Sequence, residues 1–496
     1  MKASGHRSPA TVCLILGLAL MTVALAWFTP FGAFPDELDH YERALSVGNG
    51  ELVGVKTREP PVVVAEKTCC VPGNLSALAW VRQGVRLVEV DARQRPEQLP
   101  CTVVVTSERL GCGRDPLIGP QPNTMGTIEP LAYAPGGLAA NVFDTPKAAY
   151  RVTRLAPALL GLVLVGLGVV ALRRRFPAPA VIGGVLAYMS LGTLSVVASG
   201  SPNAFEVTGA LCFLAGALAL TDDGDVGTLD WWCLGAGGFA LATSRSLGPI
   251  WIAALLLVGI CAGSWRRGLD QVRAHRVPAI SAATAIGVGT HFTVAWEAVV
   301  QPHVAFDFSF FLDQIGPTLS DARFASRQFF AAVGSLPPEW MAWTWLGAVG
   351  VLIASGLVVG NRQKRSAIVA AAALLAAAFV MVSAAVLRQN GFGIQGRHVL
   401  PMIGAVAIAS GVAWRERTVS PVVTTVGAAL IAGLVVVAWG YLRASYAATP
   451  AGLAPVAPTV RIALQTLDTF PSFVFGVGAV LAAAALPLSG WRRSDA

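Results

Sequence analysis

Long apolar runs alternate with short polar breaks along most of the chain, and that alternation predicts its elements. Runs near 11–31, 153–172, 178–198, 204–221, 230–247, 248–264, 278–298, 339–360, 366–387, 398–414, 420–442 and 470–490 are each long enough, or nearly so, for a helix to cross a bilayer. About twelve such windows predict an all-α polytopic membrane protein. The pair 230–247 and 248–264 is divided only by Ser244-Arg245-Ser246-Leu247-Gly248-Pro249. One interval breaks the rhythm: residues 35–150 form a single large loop between the first two runs. Within it Val62-Val63-Val64, Val85 to Val90 and Thr102 to Val105 sit between Gly, Pro and Asn turns and predict short strands. The expected organisation is therefore a tail and first span (1–34), a loop with a small, partly β subdomain (35–150), and a helical bundle (151–496).

Composition agrees with a membrane solvent. Hydrophobic residues make up 54% and charged residues 13%, about half the charge of an ordinary soluble domain. The net charge of +8 does not point to nucleic acid, because the arginines sit in short clusters between apolar runs. Arg173-Arg174-Arg175, Arg266-Arg267, Arg362 to Arg365, Arg415 with Arg417, and Arg492-Arg493 fit inside loops under the positive-inside rule. The loop from Thr221 to Asp230 falls on the same side yet is acidic. A retained first span, rather than a cleaved signal peptide, places both termini in the cytoplasm and loop 35–150 outside. Arg in preference to Lys, with abundant Ala, Val and Gly, points to a GC-rich bacterial source and hence a bacterial cell membrane. Of the eight cysteines, Cys69, Cys70, Cys101 and Cys112 cluster in the exported loop and are candidates for disulfides. Cys13, Cys212, Cys233 and Cys261 lie in apolar runs and read as packing residues.

Candidate chemistry is densest just after the first span, in Phe34-Pro35-Asp36-Glu37-Leu38-Asp39-His40-Tyr41-Glu42-Arg43-Ala44. Read as a helix with Pro35 in its first turn, Asp36, His40 and Arg43 share one face, with Glu37 at its edge. Glu129 to Gly137, apolar but broken by Pro and Gly, is too short to cross and is expected at the outer interface. Lys147, Arg151 and Arg154 lead into the second span; Ser201 to Glu206 opens the fourth; Arg245 stands at an outer span end. Arg388, Gln395, Arg397 and His398 crowd the break before Pro401.

Three of these segments resemble one family. Pro35-Asp36-Glu37-x-x-His40-x-x-Arg43-Ala44, Tyr150-Arg151-Val152-Thr153-Arg154 and Gln395-Gly396-Arg397-His398-x-x-Pro401 are similar to the motifs of the polytopic proteins grouped as domain of unknown function 2142. His398 departs from that family's usual tyrosine, and Glu129-Pro130-Leu131-Ala132-Tyr133 is a degenerate form of its proline-rich aromatic segment. The family looks like a branch of the C-type glycosyltransferase (GT-C) superfamily. The resemblance implies a sugar transferred from a polyprenyl phosphate to an extracytoplasmic glycan, lipid or protein. It makes Asp36 the first choice of catalytic base, with Glu37 second, orienting the acceptor or holding a divalent metal (Mg or Mn). His40, Arg43, Arg154, Arg388, Gln395, Arg397 and His398 are the implied substrate contacts, Arg397 gripping the phosphate with help from Arg154 or Arg388. No other cofactor is implied, since neither a P-loop nor a dinucleotide fingerprint is present. A transporter or flippase is the rival class; it calls for internal repeats with paired broken helices and ionisable residues near the membrane midplane.

Overall fold

The computed structural model describes residues 9–29, 34, 36–56, 86–88, 121–123, 125–300, 308–313, 315–316, 339–390, 396–414, 421–447 and 470–490. Helix α1 (Pro9–Phe28) is followed by α2 (Glu37–Gly48), strands β1 (Val55–Lys56), β2 (Arg86–Val88) and β3 (Gln121–Asn123), and the short α3 (Ala134–Ala140). The bundle then runs through α4 (Pro146–Arg175), α5 (Ala178–Tyr188), α6 (Leu191–Ala198), α7 (Asn203–Thr221), α8 (Thr228–Ala242) and α9 (Gly248–Ala262). It continues with α10 (Trp265–Ala274), α11 (Arg276–Val300), α12 (Phe308–Asp313), α13 (Glu339–Val359) and α14 (Arg362–Asn390). A 3-10 turn (Gly396–Val399) leads into α15 (Leu400–Val412), and α16 (Pro421–Ala447) and α17 (Phe470–Gly490) close the chain.

Each of the twelve apolar windows coincides with helix, but they are not twelve equal spans. Among the described residues seven helices are long and apolar enough to cross a membrane, and two bent pairs raise the number to nine. The window at 178–198 breaks between α5 and α6, which meet at 69°. Ser190 makes the break by accepting a 3.2 Å hydrogen bond from the Thr193 N–H, a cap that starts a new helix. After α9 the chain turns through 107° into α10, whose polar face carries Arg266 and Arg267 and which buries no residue, so it lies on a surface. Helix α8 has only 15 residues.

Helices α7 and α15 form the centre of the bundle, every residue of α15 being buried. Helix α15 reaches α5 by close backbone approach: a Cβ on Gly411 would lie 2.4 Å from the Ala180 carbonyl oxygen. One end of the bundle is basic, with Arg173, Arg174 and Arg175 in the last turn of α4. The acidic loop after α7 lies at that same end and supplies counter-ions, which accounts for its exception to the charge pattern. Arg175 pairs with Asp230 at 2.9 Å, Arg267 with Asp223 at 3.6 Å and Lys364 with Asp222 at 3.8 Å.

Among its described residues the loop is less β-rich than expected. Its three short strands form one antiparallel ribbon in the order β1-β2-β3, with Leu87 opposite Val55 and Pro122. The strand expected at Val85 to Val90 contains β2. Those at Val62-Val63-Val64 and Thr102 to Val105, and Cys69, Cys70, Cys101 and Cys112, lie outside the described residues. Cys13, Cys212, Cys233 and Cys261 are free thiols, buried or half-buried among the helices. Among the described residues of the loop, α2 and α3 press onto the start of α4. A Cβ on Gly137 would lie 2.0 Å from the Ala44 carbonyl oxygen, so glycine alone permits this approach. The segment from Glu129 to Gly137, expected at an interface, is thus the wedge that seats α2.

Candidate functional site

Helix α2 begins one residue later than its periodicity implies. Asp36 is the N-cap rather than a helical residue, with left-handed φ 55° and ψ 20°, and its side chain makes no capping hydrogen bond. Among non-glycine residues Asp is one of those that tolerate this conformation. The consequence is chemical: the carboxylate is swung off the helix, free to meet a partner from elsewhere. That partner is Arg397 on the 3-10 turn, with which Asp36 forms a salt bridge across 361 residues of sequence. The Asp36 side chain stays 41% exposed while that of Arg397 is 9% exposed. Partial burial alone would raise the Asp36 pKa; Arg397, with His40 and then Arg245 assisting, outweighs it and holds the carboxyl below the usual 3.8.

Of the expected shared face of Asp36, His40 and Arg43 only part is formed: Asp36 and His40 interact, while Arg43 faces another part of the loop. Arg43 is fully buried and gives its guanidinium to the carbonyls of Glu51 (3.1 Å), Leu52 and Ile128 (3.1 Å). It ties the loop to α2 rather than facing a substrate. His40 is buried and shares a 2.7 Å hydrogen bond between its Nδ1 and the Tyr133 hydroxyl. Burial pushes its pKa down to about 3, the Asp36 charge offsetting only part, so the imidazole is neutral at physiological pH.

Glu37 stands beside Asp36 in sequence but in a different environment. Its side chain is 3% exposed and forms an ion pair with Arg154 of α4, itself 2% exposed. Arg154 donates further to the carbonyls of Ala26 (3.1 Å) and Thr29 (2.6 Å) and lies over the rings of Phe34 and Tyr150. Two buried charges persist only with such saturation. The pair clamps α2 to the end of α1 and the start of α4. It occupies both groups, so neither the second base expected at Glu37 nor the phosphate contact expected at Arg154 is presented to a substrate.

The 3-10 turn brings His398 up beside Arg397, with its Nε2 buried and lacking a hydrogen-bond partner. Gln395 and the side chain of Arg388 lie outside the described residues. Four residues absent from the sequence-derived set join the cluster. Arg245, half-buried, donates a 2.9 Å hydrogen bond to the amide oxygen of Asn203, the first residue of α7. One turn on, the buried Glu206 accepts 2.6 Å from the indole N–H of Trp251. Glu129 is 1% exposed and its Oε1 has no partner; burial pushes its pKa up to about 7, with Glu297 and Glu206 adding to the rise and Arg245 opposing it. The signals were present in the sequence as a lone Arg in the break Ser244 to Pro249 and an Asn-x-x-Glu opening an apolar helix. Neither is distinguishable there from an interfacial anchor.

A divalent metal does not fit what is assembled. Glu37, the carboxylate expected to hold it, is taken by Arg154. Among the described residues no three His, Cys, Asp or Glu side chains are grouped to hold an ion.

A family model described as "Predicted membrane protein (DUF2142)" matches residues 18–406. No curated protein matches the sequence. Among solved structures, the chain is similar to ArnT from Cupriavidus metallidurans bound to undecaprenyl phosphate. That match has 17% identity and a TM-score of 0.49, covering 96% of this chain and 76% of that one.

Proposed function

The chain belongs to that family of predicted membrane proteins, and from this premise we propose that it is a membrane glycosyltransferase of the GT-C type. On this reading it moves a sugar from a polyprenyl phosphate to an extracytoplasmic acceptor of the bacterial envelope, with Asp36 as the base. The observation that carries the reading is the partly exposed Asp36 carboxylate held by the buried Arg397. Arg397 keeps Asp36 ionised, the form a proton acceptor needs, and places a cation beside the reacting centre. The acceptor oxygen attacks the anomeric carbon as Asp36 takes its proton, and the bond from that carbon to the phosphate oxygen breaks, its electron pair leaving on the phosphate. Phosphate is already a good leaving group, so no general acid is required. With Glu37 occupied, a single carboxylate serves, which favours one displacement with inversion.

Sidedness supports the same reading. Arg154 and Arg173 lie on one helix, 19 residues and so about 28 Å apart, close to the depth of a hydrocarbon core. If the basic end is cytoplasmic, the cluster around Asp36 faces outside, where lipid-linked sugars are used. Ionisable residues gathered at one end, rather than at the midplane, favour group transfer over transport. The test is a membrane assay with radiolabelled polyprenyl-phosphate sugars. Asp36→Asn is expected to lower transfer by about 10²- to 10⁴-fold with the protein still folded. Undiminished transfer in that variant removes Asp36 from the role; no donor consumed by the wild type removes the enzyme reading.

A further inference from the structure

We infer that Arg245 is the residue that binds a phosphoryl group at this site, its guanidinium aimed by Asn203. The inference rests on the glycosyltransferase reading for the lipid that carries the phosphate, but on the structure alone for the cation. Among the described side chains, four arginines compete for that role. Arg43 spends its donors on three backbone carbonyls. Arg154 is enclosed with Glu37. Arg397 is matched by Asp36. Arg245 differs in each respect. It is half-buried, and its side-chain hydrogen bond goes to a neutral amide. Among the described residues no carboxylate lies within ion-pair distance of it.

Its charge is nonetheless felt across the whole cluster: Asp36, His40, Glu129, Tyr133, Glu206 and His398 all lie within its electrostatic reach. A phosphoryl oxygen on its N–H groups would therefore join the same charged cluster as the Asp36 carboxylate. The imidazole of His398, with an unpartnered ring nitrogen, adds a polar group that a phosphate oxygen or sugar hydroxyl can satisfy. The nearest acids do not defeat the attraction. Glu129 is largely protonated below neutral pH, and one Glu206 oxygen is bound to Trp251. A guanidinium fork suits a phosphate better than an ammonium does.

The full-length protein in detergent micelles, probed with undecaprenyl phosphate, undecaprenol and inorganic phosphate in a binding titration, tests this. Wild type is expected to bind the lipid phosphate and not the lipid alcohol. Arg245→Gln should weaken that binding by about 10- to 100-fold, whereas Arg362→Gln, on an exposed residue at the basic end, should not. Should Arg245→Gln fail to fold, Arg245→Lys and Asn203→Ala carry the test, each with an expected loss of several-fold. Lipid-phosphate affinity that is intact in a folded Arg245 variant overturns the inference and leaves the glycosyltransferase reading standing. Inorganic phosphate binding as tightly as the lipid, and lost in Arg245→Gln, upholds the phosphoryl site but sinks the lipid donor. Equal binding of undecaprenol and its phosphate by wild type sinks both.

Discussion

Adjacent carboxylates in this chain have opposite fates because one residue adopts a left-handed backbone. Glu37, inside the helix, is delivered to Arg154 and buried; Asp36, outside it, is delivered to Arg397 and left reachable. Removing one charge of the buried pair leaves the other uncompensated. Glu37→Gln or Arg154→Met is thus expected to destabilise the protein by about 3–5 kcal/mol in detergent unfolding, while Asp36→Asn changes activity with little loss of stability. Two buried titratable groups also make opposed contributions to pH dependence. Glu129, facing Glu297, Glu206 and Arg245, has a folded pKa raised to about 7, so its contribution is full below its unfolded value and lost as pH rises toward 7. His40, facing Asp36, Arg397 and Arg245, has a folded pKa lowered to about 3, so its contribution is full above 6.5 and lost as pH falls. Between about pH 4.5 and 6.5 the two slopes, each about 1.4 kcal/mol per pH unit, cancel in the wild type. Thermal unfolding across that window should show stability climbing with pH in Glu129→Gln and declining with pH in His40→Asn. Parallel curves for wild type and Glu129→Gln would show that the carboxyl is not held in its raised state.

The elements that carry these residues are positioned by backbone contact as much as by side chains. Helix α2 rests against α3 at Gly137, where even a methyl group has no space. Gly137→Ala is expected to cost about 1–3 kcal/mol and to loosen the Asp36–Arg397 pair, whereas Gly183→Ala, with open space around it, should be silent. Melting temperature together with transferase activity separates the two. At this scale the sequence was partly transparent. Apolar windows announced the long helices of the bundle, because a bilayer demands long uninterrupted runs, but not the surface helix α10 or the short α12. They did not announce that Ser190 divides one window, since a single serine in an apolar stretch is compatible with an unbroken span. Nor could periodicity locate the start of α2, because Asp36 fits a first helical turn as well as it fits a left-handed cap.

As a whole the molecule is polarised, with arginines and their acidic counter-ions at one end and the Asp36 cluster at the other. An impermeant maleimide should label Asn49→Cys in intact cells and Asp225→Cys only after permeabilisation, each measured over the wild-type thiol background. The reverse pattern would place the cluster in the cytosol and end the proposed use of an exported donor. The sequence allowed Arg397 and Asp36 to be named as a pair of acid and cation, since both stand at span ends with strong motifs. Arg245 and Asn203 were each noted at a span end but not joined, because their meeting depends on how α7 packs against the turn between α8 and α9, which no local pattern records. The span of the Asp36–Arg397 contact also has a bearing on biosynthesis. The acid leaves the ribosome 361 residues ahead of its guanidinium partner. A nascent protein arrested before α15 would hold α2 without its partner, so on the proposed reading the acid waits for its cation until the helices between them are already in the bilayer.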